Sequence, residues 1–214
     1  MTPRELLISG AKVLGVDLSA GQANSVFIYL TELKKWNRKI NLTAIREERD
    51  IIIKHVLDSL SYARGFIPEP GLKLMDMGSG AGFPAVPIKI AYSGIAVTLV
   101  ESVKKKAAFL RHVIRTLKLE GAEVIDKRTN ELSEPFLASY DVVTARAFAE
   151  MSSALETGCP FLKRGGLLVL SRGPQESVTD EILDGAGVTV EKQIELTLPH
   201  SEYRRVIWVF KKIA

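Results

Sequence analysis

Between Leu72 and Pro84 the chain reads Leu72-Lys73-Leu74-Met75-Asp76-Met77-Gly78-Ser79-Gly80-Ala81-Gly82-Phe83-Pro84, an apolar run that breaks into three glycines at alternate positions. Such a stretch predicts a strand handing over to a helix. Glycines let the backbone turn tightly and let a ligand approach its amides, and Pro84 fits the first helical turn, where a missing N–H costs nothing. The stretch is therefore expected to be a ligand-binding turn at the head of an α/β unit.

The spacing narrows the ligand. Gly78, Gly80 and Gly82 read G-x-G-x-G, whereas dinucleotide sites read G-x-G-x-x-G; Phe83 stands where the third glycine of that pattern belongs. Further on, Val97-Thr98-Leu99-Val100 ends in Glu101, where an α/β nucleotide site places a carboxylate on ribose hydroxyls. Asp76 just before the turn disfavours a phosphate, and the Lys-Ser/Thr of a P-loop is absent. S-adenosylmethionine fits these features, with ribose, adenine and a cationic sulfonium but no phosphate. A purely structural turn and a dinucleotide site are the alternatives.

The 214 residues, 46% of them hydrophobic, suffice for one domain with a decoration. The single cysteine, Cys159, excludes an intramolecular disulfide and reads as a small buried hydrophobe in a cytosolic protein. His55, His112 and His200 lie far apart without metal-ligand spacing, so no metal is expected. No signal peptide and no apolar run of about 18 residues is evident, which predicts a soluble cytoplasmic chain without a membrane partner. The net charge of +4 fits an anionic partner.

Residues 4–14 read as a short helix, and Ser19 as the N-cap of a longer one reaching Trp36, with Val26, Leu30 and Leu33 as its apolar stripe. A third helix is expected over 47–62, with Ile52, Val56 and Leu60 at helical spacing, before Gly65 and Pro68-Glu69-Pro70-Gly71 break the chain. The expected organisation is a helical extension over 1–65 and a core over 66–214. In the core, strands at 95–100, 122–125, 140–144 and 167–170 alternate with helices at 85–92, 103–117, 151–157 and 176–184. A turn over 163–166 precedes the fifth strand. That alternation predicts a parallel sheet, with two further strands at 189–197 and 204–211 giving an antiparallel finish.

Ligands of open parallel sheets sit beyond the carboxyl ends of the strands, which selects Gly78, Glu101, Asn130, Arg146 and Ser171-Arg172-Gly173. Arg146, in the small-residue run Thr144-Ala145-Arg146-Ala147, reads equally as a site residue and as a solvated strand end. Three basic features stand out. Lys34, Lys35, Arg38 and Lys39 surround Trp36, whose ring can stack on a base or pack inward; Lys104, Arg111, Arg115 and Lys118 share a face of one helix; Arg204 and Arg205 lie on a late strand. A shared nucleic-acid surface is expected if they converge.

Four motifs in this order carry a resemblance: Trp36-Asn37-Arg38-Lys39-Ile40-Asn41-Leu42-Thr43, Lys54-His55-Val56-Leu57-Asp58-Ser59, Gly78-Ser79-Gly80-Ala81-Gly82-Phe83-Pro84 and Arg146-Ala147-Phe148-Ala149. Together they resemble the glucose-inhibited division protein B family, bacterial guanine-N7 methyltransferases of 16S ribosomal RNA, over essentially the whole chain. The resemblance implies a class I S-adenosylmethionine-dependent methyltransferase fold, Rossmann-like, with a mostly parallel seven-stranded sheet, an antiparallel last strand and an N-terminal helical extension. It implies 16S rRNA or the small ribosomal subunit as partner, with guanine 527 in the usual numbering as target. Cofactor contacts would fall on Gly78 and Gly80 of the turn, Phe83, Thr129, Asn130 and Arg146, with Glu101 at the ribose position. Ala85 departs from the family's usual glycine, and Ser171-Arg172-Gly173 from a common lysine-glycine pair.

Guanine N7 offers an in-plane lone pair and no proton, so methyl transfer to it needs no general base, and the sequence shows no nucleophile-base arrangement. Arg146 and Arg172 are the candidates to hold substrate or the cofactor carboxylate from the rim. His55 and Asp58, three apart, read as a local pair docking the N-terminal helices. The extension then acts as a collar for RNA, so that deleting 1–40 weakens RNA binding more than cofactor binding. A monomer is expected. A small-molecule methyltransferase and a non-catalytic ribosome-assembly factor are the competing readings.

Overall fold

The computed structural model describes residues 1–146, 150–173 and 177–213. Seven strands form one sheet in the order β3-β2-β1-β4-β5-β7-β6. They are β1 (Lys73–Met77), β2 (Ala96–Val100), β3 (Ala122–Ile125), β4 (Tyr140–Ala145), β5 (Leu162–Arg172), β6 (Val188–Thr197) and β7 (Arg204–Lys212). The first five run parallel, and β7 pairs antiparallel with both β5 and β6. Strand order reverses between β1 and β4, the switch point at which sheets of this topology present a ligand crevice beyond the strands' carboxyl ends.

Alternation along each strand divides the core into two layers. Leu74, Val97, Leu99, Val142, Val169 and Val209 face the N-terminal helices together with α5 (Ala85–Ala91) and α6 (Lys104–Leu117). Met75, Met77, Val143, Leu168, Leu170 and Phe210 face the opposite layer, built on α7 (Met151–Gly158) and α8 (Asp180–Ala186). Both faces are covered, as a parallel sheet requires.

The N-terminal helices start where their caps place them. Thr2 and Glu5 form a reciprocal capping box at α1 (Pro3–Val13), and Ser19 and Gln22 form another at α2 (Ala20–Asn37). Val26, Leu30 and Leu33 are buried as the stripe predicts. The helix expected over 47–62 is continuous but not uniform: α3 (Glu48–Ile51) passes into a π-helical turn (Ile52–Leu57), then α4 (Asp58–Ser61) and a 3-10 turn (Tyr62–Gly65). A π turn holds more residues per revolution, so positions three apart no longer stand side by side. His55 and Asp58 accordingly do not pair; each turns to a different partner.

Two further expectations are corrected. Lys163 to Gly166 do not precede β5 but lie within it as a bulge, since pairing with β4 jumps from Tyr140↔Leu162 to Val142↔Leu167. Only glycine fits at Gly166, where a Cβ would meet the Lys163, Tyr140 and Asp141 carbonyl oxygens at 2.9, 3.1 and 3.2 Å. The helix expected over 176–184 begins at Asp180, behind Thr179 as N-cap, and ends at Gly187; Glu176 lies outside the described residues. The helices of the extension pack on the core: Leu6, Leu7, Ala11, Tyr29, Ile52 and Leu57 belong to the same buried cluster as one face of the sheet.

Candidate functional site

The glycine turn leaves β1 at the switch point. Gly78 and Gly80 have φ of +65 and +57°, and a Cβ on Gly78 would meet nothing within 4 Å. Gly82 has φ +98° for a different reason: its Cβ would strike Val86 at 2.6 Å, Leu110 at 3.1 Å and the Tyr29 hydroxyl at 3.2 Å. The first glycine keeps a face open for a ligand; the third lets the turn pack against α5, α6 and α2.

Glu101 holds the turn in place. Its Oε2 accepts the Gly80 N–H at 2.8 Å and its Oε1 the Val103 N–H at 2.7 Å. Each oxygen keeps a second lone pair for a hydroxyl. Beneath the turn, Asp76 is fully buried. Its Oδ1 accepts from the Thr144 hydroxyl at 3.0 Å, while Oδ2 has no partner among the described residues. Burial pushes this carboxyl up to about 7, against the pull of the Ser79 and Thr144 hydroxyls, the nearby Arg146 charge and the Ala85 N–H.

The helical extension grips the turn from above. The Tyr29 hydroxyl donates to the Ala81 carbonyl at 2.6 Å, and its ring lies 5.4 Å from that of Phe83. The His55 ring stacks on Phe83 at 4.6 Å, and its Nε2 shares a 2.7 Å hydrogen bond with Thr43 Oγ1. Burial, reinforced by the Arg146 charge, lowers His55 to about 4, so the imidazole is neutral near pH 7. Asn37 closes the loop that carries Thr43: its Oδ1 accepts from the Leu42 and Thr43 amides, and its Nδ2 donates to the Thr43 carbonyl.

Arg146, just past β4, is neither solvated nor free. Its Nη2 donates to the Lys54 carbonyl at 2.6 Å and meets Asp58 Oδ2 at 3.2 Å, and its guanidinium lies 5.7 Å from the Phe83 ring centre. Asp58 Oδ1 takes Arg205 Nε at 3.1 Å. One buried carboxylate thus ties the helical segment to the ends of β4 and β7. Arg172 serves the other side of the sheet: its Nη2 reaches the Glu150 carbonyl, at the start of α7, at 3.4 Å. Thr129 and Asn130 form a short 3-10 turn after β3, with Asn130 exposed. The crevice therefore gathers Gly78, Gly80, Phe83, Glu101 and Arg146 around one turn, and the motif's Ala147, Phe148 and Ala149 lie outside the described residues.

Two of the three basic features share a flank. Trp36 packs inward on Phe109 and His112 of α6, at 5.6 and 5.2 Å, and so is not a stacking platform; this contact sets α2 beside α6. Arg38, Lys39 and Arg46 are exposed near the end of α2, and Lys104, Arg115 and Lys118 along α6. Arg205 is committed to the buried Asp58 and is a structural member, while Arg204 stays exposed in a surface pair with Glu195. Cys159 is buried, its thiol pushed up to about 11 by burial. Among the described residues no helix is long and apolar enough to cross a membrane, and no cluster of three metal-ligating side chains exists.

Comparison with known proteins decides the lineage. Residues 22–207 match the family model described as rRNA small subunit methyltransferase G. The chain belongs to this family. A relative named ribosomal RNA small subunit methyltransferase G from Geotalea uraniireducens is 36% identical over 217 residues, covering 100% of this chain and 98% of that protein. Another of the same name, from Chloroflexus aggregans, is 45% identical over 179 residues, covering 83% and 74%. Among solved structures, P. horikoshii TYW2 in complex with MeSAdo superposes with a TM-score of 0.59 at 14% identity, over 73% of this chain and 62% of that one. The [4+2]-cyclase SpnF gives 0.62 at 14% identity, over 93% and 98%. These likenesses concern the fold alone, and one fold serves several chemistries.

Within the family frame, the motifs noted in the sequence turn out to be consecutive links of one assembly. Asn37 shapes the loop, Thr43 joins it to His55, His55 stacks on Phe83, and Asp58 anchors Arg146 beside the same ring. Sequence reasoning missed the structural parts played by Tyr29, Thr43 and Tyr62. The available signal was a tyrosine inside an apolar stripe, because a buried hydroxyl needs a partner; Tyr62 finds the Ala145 carbonyl at 3.2 Å.

Proposed function

We propose that this chain is a cytoplasmic methyltransferase that uses S-adenosylmethionine to methylate N7 of a guanine, position 527 in the usual numbering, in 16S rRNA of the small ribosomal subunit. The observation that carries the reading is the crevice at the β1/β4 switch point of a chain of this family. There an open Gly78 backbone, the Glu101 carboxylate and the buried Asp76 carboxyl lie at one strand end and the turn that follows it.

These residues fit the cofactor. Gly78 and Gly80 leave room for close approach, Glu101 has lone pairs for ribose hydroxyls, and Asp76, raised to about 7 by burial, is poised to ionise when a cation sits beside it. Phe83 adds an apolar wall, and Thr129 and Asn130 the far edge. When bound, S-adenosylmethionine supplies a methyl group activated by its cationic sulfur. The chain's own contribution is positioning and exclusion of water. Guanine N7 carries no proton, so no general base is required, and the neutral His55 is not one. Methylation leaves the base cationic, and a free cation nearby would oppose it; Arg146 is instead held by Asp58, a carboxylate it shares with Arg205, and by the Lys54 carbonyl. We assign Arg146 to shaping the crevice wall through Phe83 and Arg172 to the opposite rim.

The test is transfer of radiolabelled methyl to intact small subunits, protein-free 16S RNA and a panel of small molecules, with products mapped by mass spectrometry. Label at a guanine N7 of the subunit RNA is expected. Cofactor binding without transfer to any substrate would replace this reading with that of an assembly factor, and label only on small molecules would remove RNA from it.

A further inference from the structure

A groove of about 900 Å3 opens under the loop that Asn37 closes, and Thr43 is part of its wall. Its rim carries Lys34, Arg38, Asn41 and Arg46, while Leu33 and Ile51 give it an apolar floor. Lys34 is engaged by Glu48 at 2.9 Å. Arg38 and Arg46 are exposed and enter no ion pair among the described residues. Cationic rim and apolar floor together match a ribonucleotide strand, whose phosphates meet the arginines while a base covers the floor.

The groove is two side chains away from the glycine turn. Thr43 Oγ1 accepts the Ile45 N–H at 3.1 Å, which fixes the loop, and the same oxygen bonds His55 Nε2 at 2.7 Å. The His55 ring then stacks on Phe83 at 4.6 Å. His55 is carried by the π-helical turn (Ile52–Leu57). Such π turns are rare and frequent at functional sites.

Resting on the RNA reading above, we propose that this groove seats the RNA strand flanking the target base. Through Thr43, His55 and Phe83, filling the groove and filling the cofactor crevice favour one another. His55 is then a positioning residue that links the two sites rather than a catalytic one. Linkage makes the effect reciprocal: RNA tightens cofactor binding by the same factor by which cofactor tightens RNA binding.

The experiment is equilibrium binding of radiolabelled S-adenosylhomocysteine to the full chain, with and without saturating unmethylated small ribosomal subunits. In the wild type the subunits should tighten S-adenosylhomocysteine binding at least about fivefold, the lower end of ordinary coupling. His55→Phe keeps a ring on Phe83 but loses the Thr43 bond; its coupling should fall to near one while each separate affinity moves less than about threefold. Thr43→Val, which removes only the hydroxyl, is the second variant should His55→Phe melt early. Charge reversal of the rim, Arg38→Glu with Arg46→Glu, should weaken subunit binding at least about tenfold and leave S-adenosylhomocysteine affinity without subunits unchanged. Rim variants that bind subunits like the wild type would overturn the groove assignment. Coupling absent in the wild type, or intact in both His55→Phe and Thr43→Val, would overturn the link. Either result can stand beside normal methyl transfer to 16S rRNA, whereas failure of wild-type transfer would remove the functional reading itself.

Discussion

Gly78 and Gly82 separate binding from stability. Both have positive φ, +65 and +98°. Alanine in a left-handed conformation costs about 1–2 kcal/mol, and the stiffer unfolded chain returns about 0.4–1 kcal/mol, so Gly78→Ala should lose about 0.5–1.5 kcal/mol. Its new methyl meets nothing within 4 Å of the chain itself. At Gly82 the methyl would lie 2.6 Å from Val86 and 3.1 Å from Leu110. Overpacking of that kind adds about 1–3 kcal/mol, for a total of about 2–4 kcal/mol. At about 2–4 °C per kcal/mol for a chain of this size, Gly78→Ala should melt only about 1–6 °C low and Gly82→Ala about 4–16 °C low. Titration calorimetry with S-adenosylhomocysteine should show the reverse order at temperatures where both are folded: Gly78→Ala binds at least about tenfold more weakly, and Gly82→Ala much less so. Wild-type cofactor affinity in Gly78→Ala, or equal melting of the two variants, would refute the division of labour within the turn.

Asp58→Ala strips one buried carboxylate from two arginines. Removing one partner of a buried pair costs about 3–5 kcal/mol; the arginine side chains are 23 and 26% exposed, so water recovers part of it. About 2–3 kcal/mol should be lost in urea unfolding, and Arg205→Ala should lose less because Arg146 still pairs. The carboxyl of Asp76 is raised from 3.8 to about 7 by burial, so the folded chain holds a proton that the unfolded chain releases. The stability this group contributes is complete below pH 3.8 and is lost as pH rises through about 7. Asp76→Asn should flatten that decline and melt above the wild type at pH 8; an unchanged slope between pH 5 and 8 would assign the decline elsewhere. Removal of residues 1–40 should abolish cofactor and RNA binding together, because Tyr29 braces the glycine turn and the helices share the sheet's core. A folded truncation that still binds cofactor, seen by circular dichroism and calorimetry, would restore the separable collar expected from sequence.

Local chemistry wrote much of this molecule into its sequence. Ser19 caps α2, the alternation of apolar runs yields the parallel strands, and the glycine turn with Glu101 falls at the switch point, because capping, period and turn conformation each depend on residues close in the chain. The π turn, the bulge at Lys163 to Gly166 and the fate of the charges depend instead on neighbours distant in sequence. Three residues apart in a helix promised that His55 would meet Asp58; packing against the turn sent His55 to Phe83 and Thr43, and two strand ends drew Asp58 to Arg146 and Arg205. Likewise Trp36 could have faced RNA until α6 came to lie against it. The sequence by itself determined which strand end would carry the ligand turn. Only tertiary structure decided which arginines were spent inside the fold and which were left at the groove, since an ion pair forms by distance in space and not by spacing along the chain.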